Sequence, residues 1–315
     1  MTLGDLPSPG AAALHHTLRF ADACGHRLEY VDIPARRMHR PPLVLLHEGL
    51  GSVAMWRDFP GRVAAATGCR SIVYSRYGFG RSSPRVEPCT PLFMHEEALR
   101  ILPALRAELG IARPVLIGHS TGASMALIHA GAEGADVAGL VIMAPLVFVE
   151  EFNLDSIRAA REVYRTTDMR QKLARYHDDV DGVFWGWNDI WLHPAFRSWS
   201  IADDLRGIRC PILAILGDDD EYSTPAQIDA IRRNRRARRP PCPIGRRLFS
   251  LPCAPGEPRR DLPPVRDRVS GAVPVSRACR DSAGRGRLRL RPATSRRDRN
   301  RPCSRARSRA GMPPR

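Results

Sequence analysis

The run Pro114-Val115-Leu116-Ile117-Gly118-His119-Ser120-Thr121-Gly122-Ala123-Ser124 decides how this chain is read. Val115 to Ile117 is an apolar stretch of strand length. It meets Gly-x-Ser-x-Gly at Gly118–Gly122, and Ala-rich sequence of helical character follows. Strand, tight turn and helix in that order form a nucleophile elbow, which pushes the Ser120 hydroxyl clear of the backbone. Gly118 and Gly122 lack Cβ atoms, so strand and helix can close around a strained residue. Ser120 would stand at the positive end of the helix, which favours a developing anion. The bland alternative is a Gly/Ser turn without chemistry, because a motif with three fixed positions recurs by chance. The flanking sequence has to choose.

Upstream, residues 16–34 read as a hairpin, with Asp22-Ala23-Cys24-Gly25 as the turn. Pro42 to Leu46 is all apolar, as in a strand covered on both faces, and it opens into the glycine-rich loop His47-Glu48-Gly49-Leu50-Gly51-Ser52. A helical stretch through Trp56 to Ala66 leads to a strand at Ser71–Tyr74 and a second loop, Ser75 to Ser82. Pro91 to Leu109 carries apolar residues at helical spacing, with the proline suited to a first turn. Downstream, Leu140–Met143 reads as a strand and Pro211–Leu216 as another, which runs into Gly217-Asp218-Asp219-Asp220-Glu221; a helix starts near Thr224-Pro225. Strands alternating with helices through short loops give an α/β class with a mostly parallel, doubly wound sheet.

Residues 146–206 interrupt that alternation and hold four of the five tryptophans. Two readings stand side by side. Either the segment is a helical excursion whose rings merely pack on the sheet, or it is a lid whose Trp185, Trp187 and Trp191 roof a substrate pocket. Its position after a strand end, where ligands bind in open α/β sheets, favours the lid.

The net charge of +16 suggests a nucleic acid or membrane partner, but it is unevenly spread. Residues 231–315 hold 26 arginines against 5 acidic residues, a net of +21, and the remainder carries −5. The sum therefore supports no claim about partners. No basic start followed by an apolar core is seen in Met1–Phe20, and the longest apolar run, Val137–Val149, is too short to span a bilayer. The eight cysteines show no dense spacing, so reduced thiols and a cytoplasmic location are expected. No histidine follows His193 to complete a Cys/His zinc site, and no metal or other cofactor is expected.

Assembled, these pieces resemble the α/β-hydrolase superfamily, in a branch with a short helical cap, over residues 16–232. Four motifs carry the resemblance in order: His47-x-Gly49-x-Gly51, Gly78-Phe79-Gly80-Arg81-Ser82, Gly118-His119-Ser120-Thr121-Gly122 and Gly217-x-x-Asp220. The resemblance implies a serine hydrolase, an esterase or lactonase acting on a small-molecule substrate, with no specific nucleic acid and no membrane as partner. Ser120 is then the nucleophile and Asp220 the carboxylate that orients its base, with Thr121 and Gly49 giving oxyanion-hole N–H groups and Leu50 as the alternative second donor. Two positions depart from the family pattern. Glu48 follows His47 directly and is expected to point outward, away from an oxyanion. Ser75 stands where many members have Asp. His47 is expected to brace the oxyanion loop, His119 to be structural, and His95 to lie on the surface or behind the site.

The resemblance also calls for a further strand, a loop bearing the catalytic His and a closing helix after residue 230. The chain instead continues with an Arg/Pro-rich tail, 233–315, without strand or helix pattern and without histidine. Arg, Pro, Ala and Gly are the products of GC-rich codons, and the whole chain has one lysine, Lys172. The tail therefore reads as an out-of-frame, disordered extension. Back-translation of Arg247–Cys253 shifted forward by one base permits Asp-Cys-Ser-His-Ser-Pro, the kind of context in which the family places its His. Impaired catalysis is the expectation for the chain as written. The alternative is a non-catalytic pseudo-hydrolase that keeps the pocket as a binding site.

Overall fold

The computed structural model describes residues 17–217 and 220–235. The expectations concerning the missing strand, helix and histidine, the disorder and the reading frame of the tail from residue 236 on lie outside the described residues, as do Asp218 and Asp219.

The chain enters through a hairpin, β1 (Leu18–Ala23) and β2 (His26–Ile33). Its turn is the pair Cys24-Gly25, both at positive φ (57° and 81°), the backbone that two-residue hairpin loops require. β2 runs antiparallel to β4 (Ser71–Tyr74), and β4 pairs parallel with β3 (Leu43–Leu46). All four residues of β3 and of β4 are buried, as continuous apolar runs in a sheet covered on both faces must be. β5 (Val115–His119), β6 (Gly139–Met143) and β7 (Ile212–Ile215) continue the parallel part. Among the described residues the order is β1-β2-β4-β3-β5-β6-β7. The fold is thus α/β, with a mixed, mostly parallel sheet.

Helix α1 (Phe59–Thr67) carries the chain from β3 to β4. The stretch after Pro91 forms α2 (Phe93–Glu96), a π-helical turn at Glu97–Ile101 and α3 (Leu102–Glu108), leading into β5. Helix α4 (Thr121–Gly131), nearly all buried, returns from β5 to β6. From β3 the chain steps outward to β4, then crosses back over to β5 and proceeds the other way. The strand order therefore reverses between β3 and β5, and the crevice at their carboxyl ends is where such sheets bind ligands. His47–Gly51 and Ser120 emerge there, with Leu46 paired to Gly118.

After β6 the insert leaves and re-enters through a narrow neck. Phe148 bridges Ser200, Ile201 N–H donates to Val147 O at 2.8 Å, and Val149 N–H to Trp199 O at 3.3 Å. Between these lie α5 (Glu151–Thr166), α6 (Met169–Leu173) and α7 (Val180–Leu192). After β7, α8 (Pro225–Asn234) is the last described element; Thr224 caps it by accepting from Ala226 N–H.

Candidate active site

Ser120 has φ 51° and ψ −119°, a conformation that L-residues adopt at a cost of order 1–3 kcal/mol, held here by its neighbours. Its N–H donates to Met143 O on the adjacent strand at 2.9 Å, and its carbonyl receives Ala123 and Ser124 N–H as the first turn of α4. Both flanking glycines are required by space. A Cβ on Gly118 would stand 2.5–2.6 Å from the backbone of Gly122 and Ala123. One on Gly122 would stand 2.6 Å from His47 O and closer still to Leu46 O. The elbow is therefore wedged against the end of β3, which brings Ser120 and Thr121 beside the His47–Gly51 loop. Thr121 lies in the first turn of α4, where backbone N–H groups lack an intrahelical acceptor.

The loop after β3 is fixed through one carbonyl. Arg76 N–H donates to His47 Nε2 at 3.0 Å, which leaves Nδ1 as the protonated nitrogen, donating to Glu48 O at 2.8 Å. Glu48 O also accepts from Arg76 Nη2 at 2.8 Å and from Gly51 N–H at 3.2 Å. Because a trans peptide is planar, pinning the Glu48 carbonyl points the Gly49 N–H to the opposite side, away from His47 and Arg76. His47 is fully buried. Burial first, and the nearby Arg76 charge second, hold it well below the ordinary imidazole value, so it braces the loop as a neutral ring.

The Glu48 side chain does not point outward as the sequence suggested. Its carboxylate reaches back to the elbow, 3.7 Å from His119 Nδ1 and only 29% exposed, and fills the space above Gly51. Burial raises this carboxyl, but the hydrogen bond and charge of His119 outweigh burial and leave it below the usual carboxylate range. The partner of His119 is thus a carboxylate at the end of the neighbouring strand, β3. The Ser75 departure also has a compensation. Glu29 from β2 brings its buried carboxylate beside Ser75, where it accepts from Arg81 N–H, while Ser75 Oγ accepts from Val53 N–H at 2.9 Å.

A small cavity of about 30 Å³ adjoins the elbow, bounded by Gly49, Thr121, Arg76, Glu97 and, from the lid, Trp187. The Trp187 indole lies directly on Gly49, so tightly that a Cβ there would collide with it. The other two lid tryptophans lie elsewhere. Trp185 packs edge-on against Tyr164 and Phe184, with Arg161 and Arg165 over its ring. Trp191 is 1% exposed, set in the main core against Phe196 and Trp199. On a helix, residues two apart point about 200° apart, so Trp185 and Trp187 cannot share one wall. Trp191 lies one turn further along, over the sheet core instead of the cavity.

Asp220 follows β7, two strands from β5 along the same carboxyl edge. Its Oδ1 accepts from Tyr222 N–H (3.0 Å) and Ser223 N–H (2.8 Å), which locks the acid loop into a turn before α8. The structure thus brings Ser120, Thr121 and Gly49 together and sets Asp220 apart from the cavity wall. His95 pairs with Asp204 at 3.3 Å. Sequence reasoning passed over Arg76, Glu97 and His177. Arg76, directly before the Gly78-Phe79-Gly80 loop, was the most legible of them. His177 latches the lid to both site loops, accepting Gly80 N–H at 3.0 Å on Nδ1 and donating from Nε2 to Leu50 O at 2.9 Å. Among the described residues no group of three or more His, Cys, Asp or Glu is placed to hold a metal, and no helix is long and apolar enough to cross a membrane.

A family model for the alpha/beta hydrolase family matches residues 43–254. The chain belongs to that family. Over 101 residues the chain is 37% identical to the proline iminopeptidase of Lactobacillus helveticus (strain DPC 4571), a match covering 32% of the chain and 34% of that protein; the chain thus spans about a third of the length of the curated relative it matches. Among solved structures it is similar to a carboxylesterase of the Thaumarchaeon Nitrososphaera gargenis (TM-score 0.53, 20% identity, 69% of this chain and 86% of that one). It is also similar to the enol-lactonase of Burkholderia xenovorans LB400 (TM-score 0.52, 20% identity, 69% and 87%). At these identities the two structures show that the hydrolase shares their fold.

Proposed function

We propose that this hydrolase is built for nucleophilic acyl transfer on a small ester, lactone or related substrate. Ser120 is the nucleophile, the N–H groups of Thr121 and Gly49 form the oxyanion hole, and Asp220 is the carboxylate meant to orient a base. The observation that carries the reading is the strained Ser120 backbone between two glycines that have no room for a Cβ. Strain of this kind is maintained where it presents a reactive group. The pinned Glu48 carbonyl supports Gly49 as the second donor. Cys24, Cys69 and Cys89 are free thiols, which suits the cytoplasm.

Turnover by the chain as written is impaired, because no histidine follows His193. An unassisted serine is a weak nucleophile, and oxyanion hole and binding alone leave about 10³-fold over water. The same absence favours a second reading, a pseudo-hydrolase that binds without turning over. A fluorophosphonate probe separates them. Slow covalent labelling of the full chain, residual because no base assists Ser120 and abolished by Ser120→Ala, is expected for the first; a chain that stays unlabelled on prolonged exposure while still binding small esters rules it out.

A further inference from the structure

The cavity beside the elbow contains charge that the acyl-transfer chemistry does not use. Arg76 is 3% exposed, and its Nε–H has no acceptor, although Nη2 is committed to Glu48 O and the guanidinium lies 4.2 Å from the centre of the Phe79 ring. Arg85 lines the same cavity, its guanidinium 4.7 Å from the Tyr77 ring centre, with Glu87 bonded to Nη1 at 3.0 Å from the solvent side. The opposing acid is Glu97, which the π turn after α2 places in the cavity wall, where Oε1 accepts from the Tyr74 hydroxyl at 2.7 Å. Insertions of this kind in helices recur at functional sites. Burial raises the Glu97 carboxyl, against the opposing pull of Arg76 and of the Tyr74 hydroxyl. Cys89 and Tyr77 are the remaining titratable groups on the wall, and burial raises both toward the neutral form.

We propose that this cavity is an acid-recognising subsite: a carboxylate at the far end of the substrate's acyl chain is received by the guanidinium groups of Arg76 and Arg85 while the reacting carbonyl lies over Ser120. The proposal rests on the serine-hydrolase reading for the position of that carbonyl. A carboxylate oxygen supplies the acceptor that Arg76 Nε lacks, and a planar guanidinium matches a carboxylate. An ammonium in the same place would meet both guanidinium groups, while Glu97 is engaged by Tyr74 and Glu87 by Arg85. The space is only about 30 Å³, so the carboxylate head enters as Trp187 and α7 lift, and only a short, slender acyl chain fits beneath them.

The test is binding, which needs no turnover. With the full chain carrying Ser120→Ala, monomethyl glutarate and dimethyl glutarate are titrated calorimetrically. They share the ester and the chain length and differ in one charge. The monoacid is expected to bind about tenfold tighter or more, the usual scale of a charge-assisted hydrogen bond. Arg85→Gln is expected to remove most of that preference, and Arg76→Lys, which keeps the charge but loses the Nε–H, part of it. Equal affinity for the two esters, no binding of either, or a preference untouched by both substitutions overturns the proposal. Fluorophosphonate labelling of the unsubstituted chain reports separately on Ser120. Labelling without acid preference defeats the subsite alone, and acid preference without labelling defeats the serine reading alone.

Discussion

Gln227→Leu tests whether the acid loop and the lid are held as one unit. Gln227 is fully buried on α8 and clamps the neck of the lid. Its Oε1 accepts from Val147 N–H at 2.7 Å and Phe148 N–H at 3.3 Å; its Nε2 donates to Phe148 O at 3.1 Å and to Glu150 Oε2 at 2.6 Å. Leucine fills a similar volume and supplies none of these bonds. Glu150 keeps a partner in the Thr224 hydroxyl at 2.6 Å, so its loss is small. Val147 N–H is left in an apolar setting and Phe148 O loses its donor, and each such group costs about 1–3 kcal/mol. The expected loss is therefore about 3 kcal/mol, equivalent to roughly 6–12 °C in melting temperature for a domain of this size. Equilibrium urea unfolding followed by tryptophan fluorescence reads it directly, since four of the five tryptophans lie in or beside the lid. Gln227→Glu is the control. It restores the acceptor but sets a carboxylate against Glu150, so its deficit relative to the unsubstituted chain should shrink as pH is lowered and the new carboxyl takes up a proton. A loss below about 1 kcal/mol for Gln227→Leu, or a pH-independent deficit for Gln227→Glu, refutes the clamp.

Further expectations follow from the elbow, the lid and the buried histidines. Gly122→Ala should cost about 1–3 kcal/mol and slow fluorophosphonate labelling, because its methyl group meets the carbonyls of Leu46 and His47; unchanged urea midpoint and labelling rate would count against the wedge. Trp191→Ala should cost about 3–5 kcal/mol as a core truncation, whereas Trp187→Ala should cost less and speed entry of bulky phosphonates; the reverse order in thermal melts would contradict their placements. His47, His129 and His177 are all held below the ordinary imidazole value, burial being the first cause in each. Such groups bind protons more readily unfolded than folded, so their contribution is full above about pH 6.5 and is lost as pH falls below it. Glu29 and Glu97, raised by burial, act in the opposite sense as they protonate. The comparison of melting curves between pH 8 and 5.5 is therefore made against His177→Gln, which should flatten part of the acid loss; identical slopes in the two proteins would exclude His177 as a proton-sensitive latch.

Most of the scaffold was readable because it rests on local pattern. The all-apolar run at 43–46 and the Ile72-Val73 pair within 71–74 mark strands buried on both faces, and Gly118-x-Ser120-x-Gly122 marks a turn that only glycine neighbours permit. The site was readable to the extent that it lies at strand ends. Ser120, Thr121 and Gly49 follow from their loops, and the fold brings them together. Less visible were residues whose role depends on direction. Trp185, Trp187 and Trp191 are equivalent as composition, yet one packs against Tyr164 and Phe184 within the insert, one faces the cavity and one is in the core, because helix phase and docking of the insert decide. Glu48 was expected to turn away from the elbow, since a bare carboxylate near an oxyanion is unfavourable. His119, on the neighbouring strand, supplies a partner that sequence distance conceals.

Local spacing and composition alone set the order of strands and helices, the Gly-x-Ser-x-Gly turn and the lack of any histidine after His193. Long-range packing alone leaves the buried Arg76 Nε–H without an acceptor, sets Glu97 opposite Arg76 from a π turn, and lets one pinned carbonyl aim the Gly49 N–H. Those facts depend on which groups remain unpaired after β3, β4 and β5 are laid side by side, and that pairing joins residues tens of positions apart in the chain.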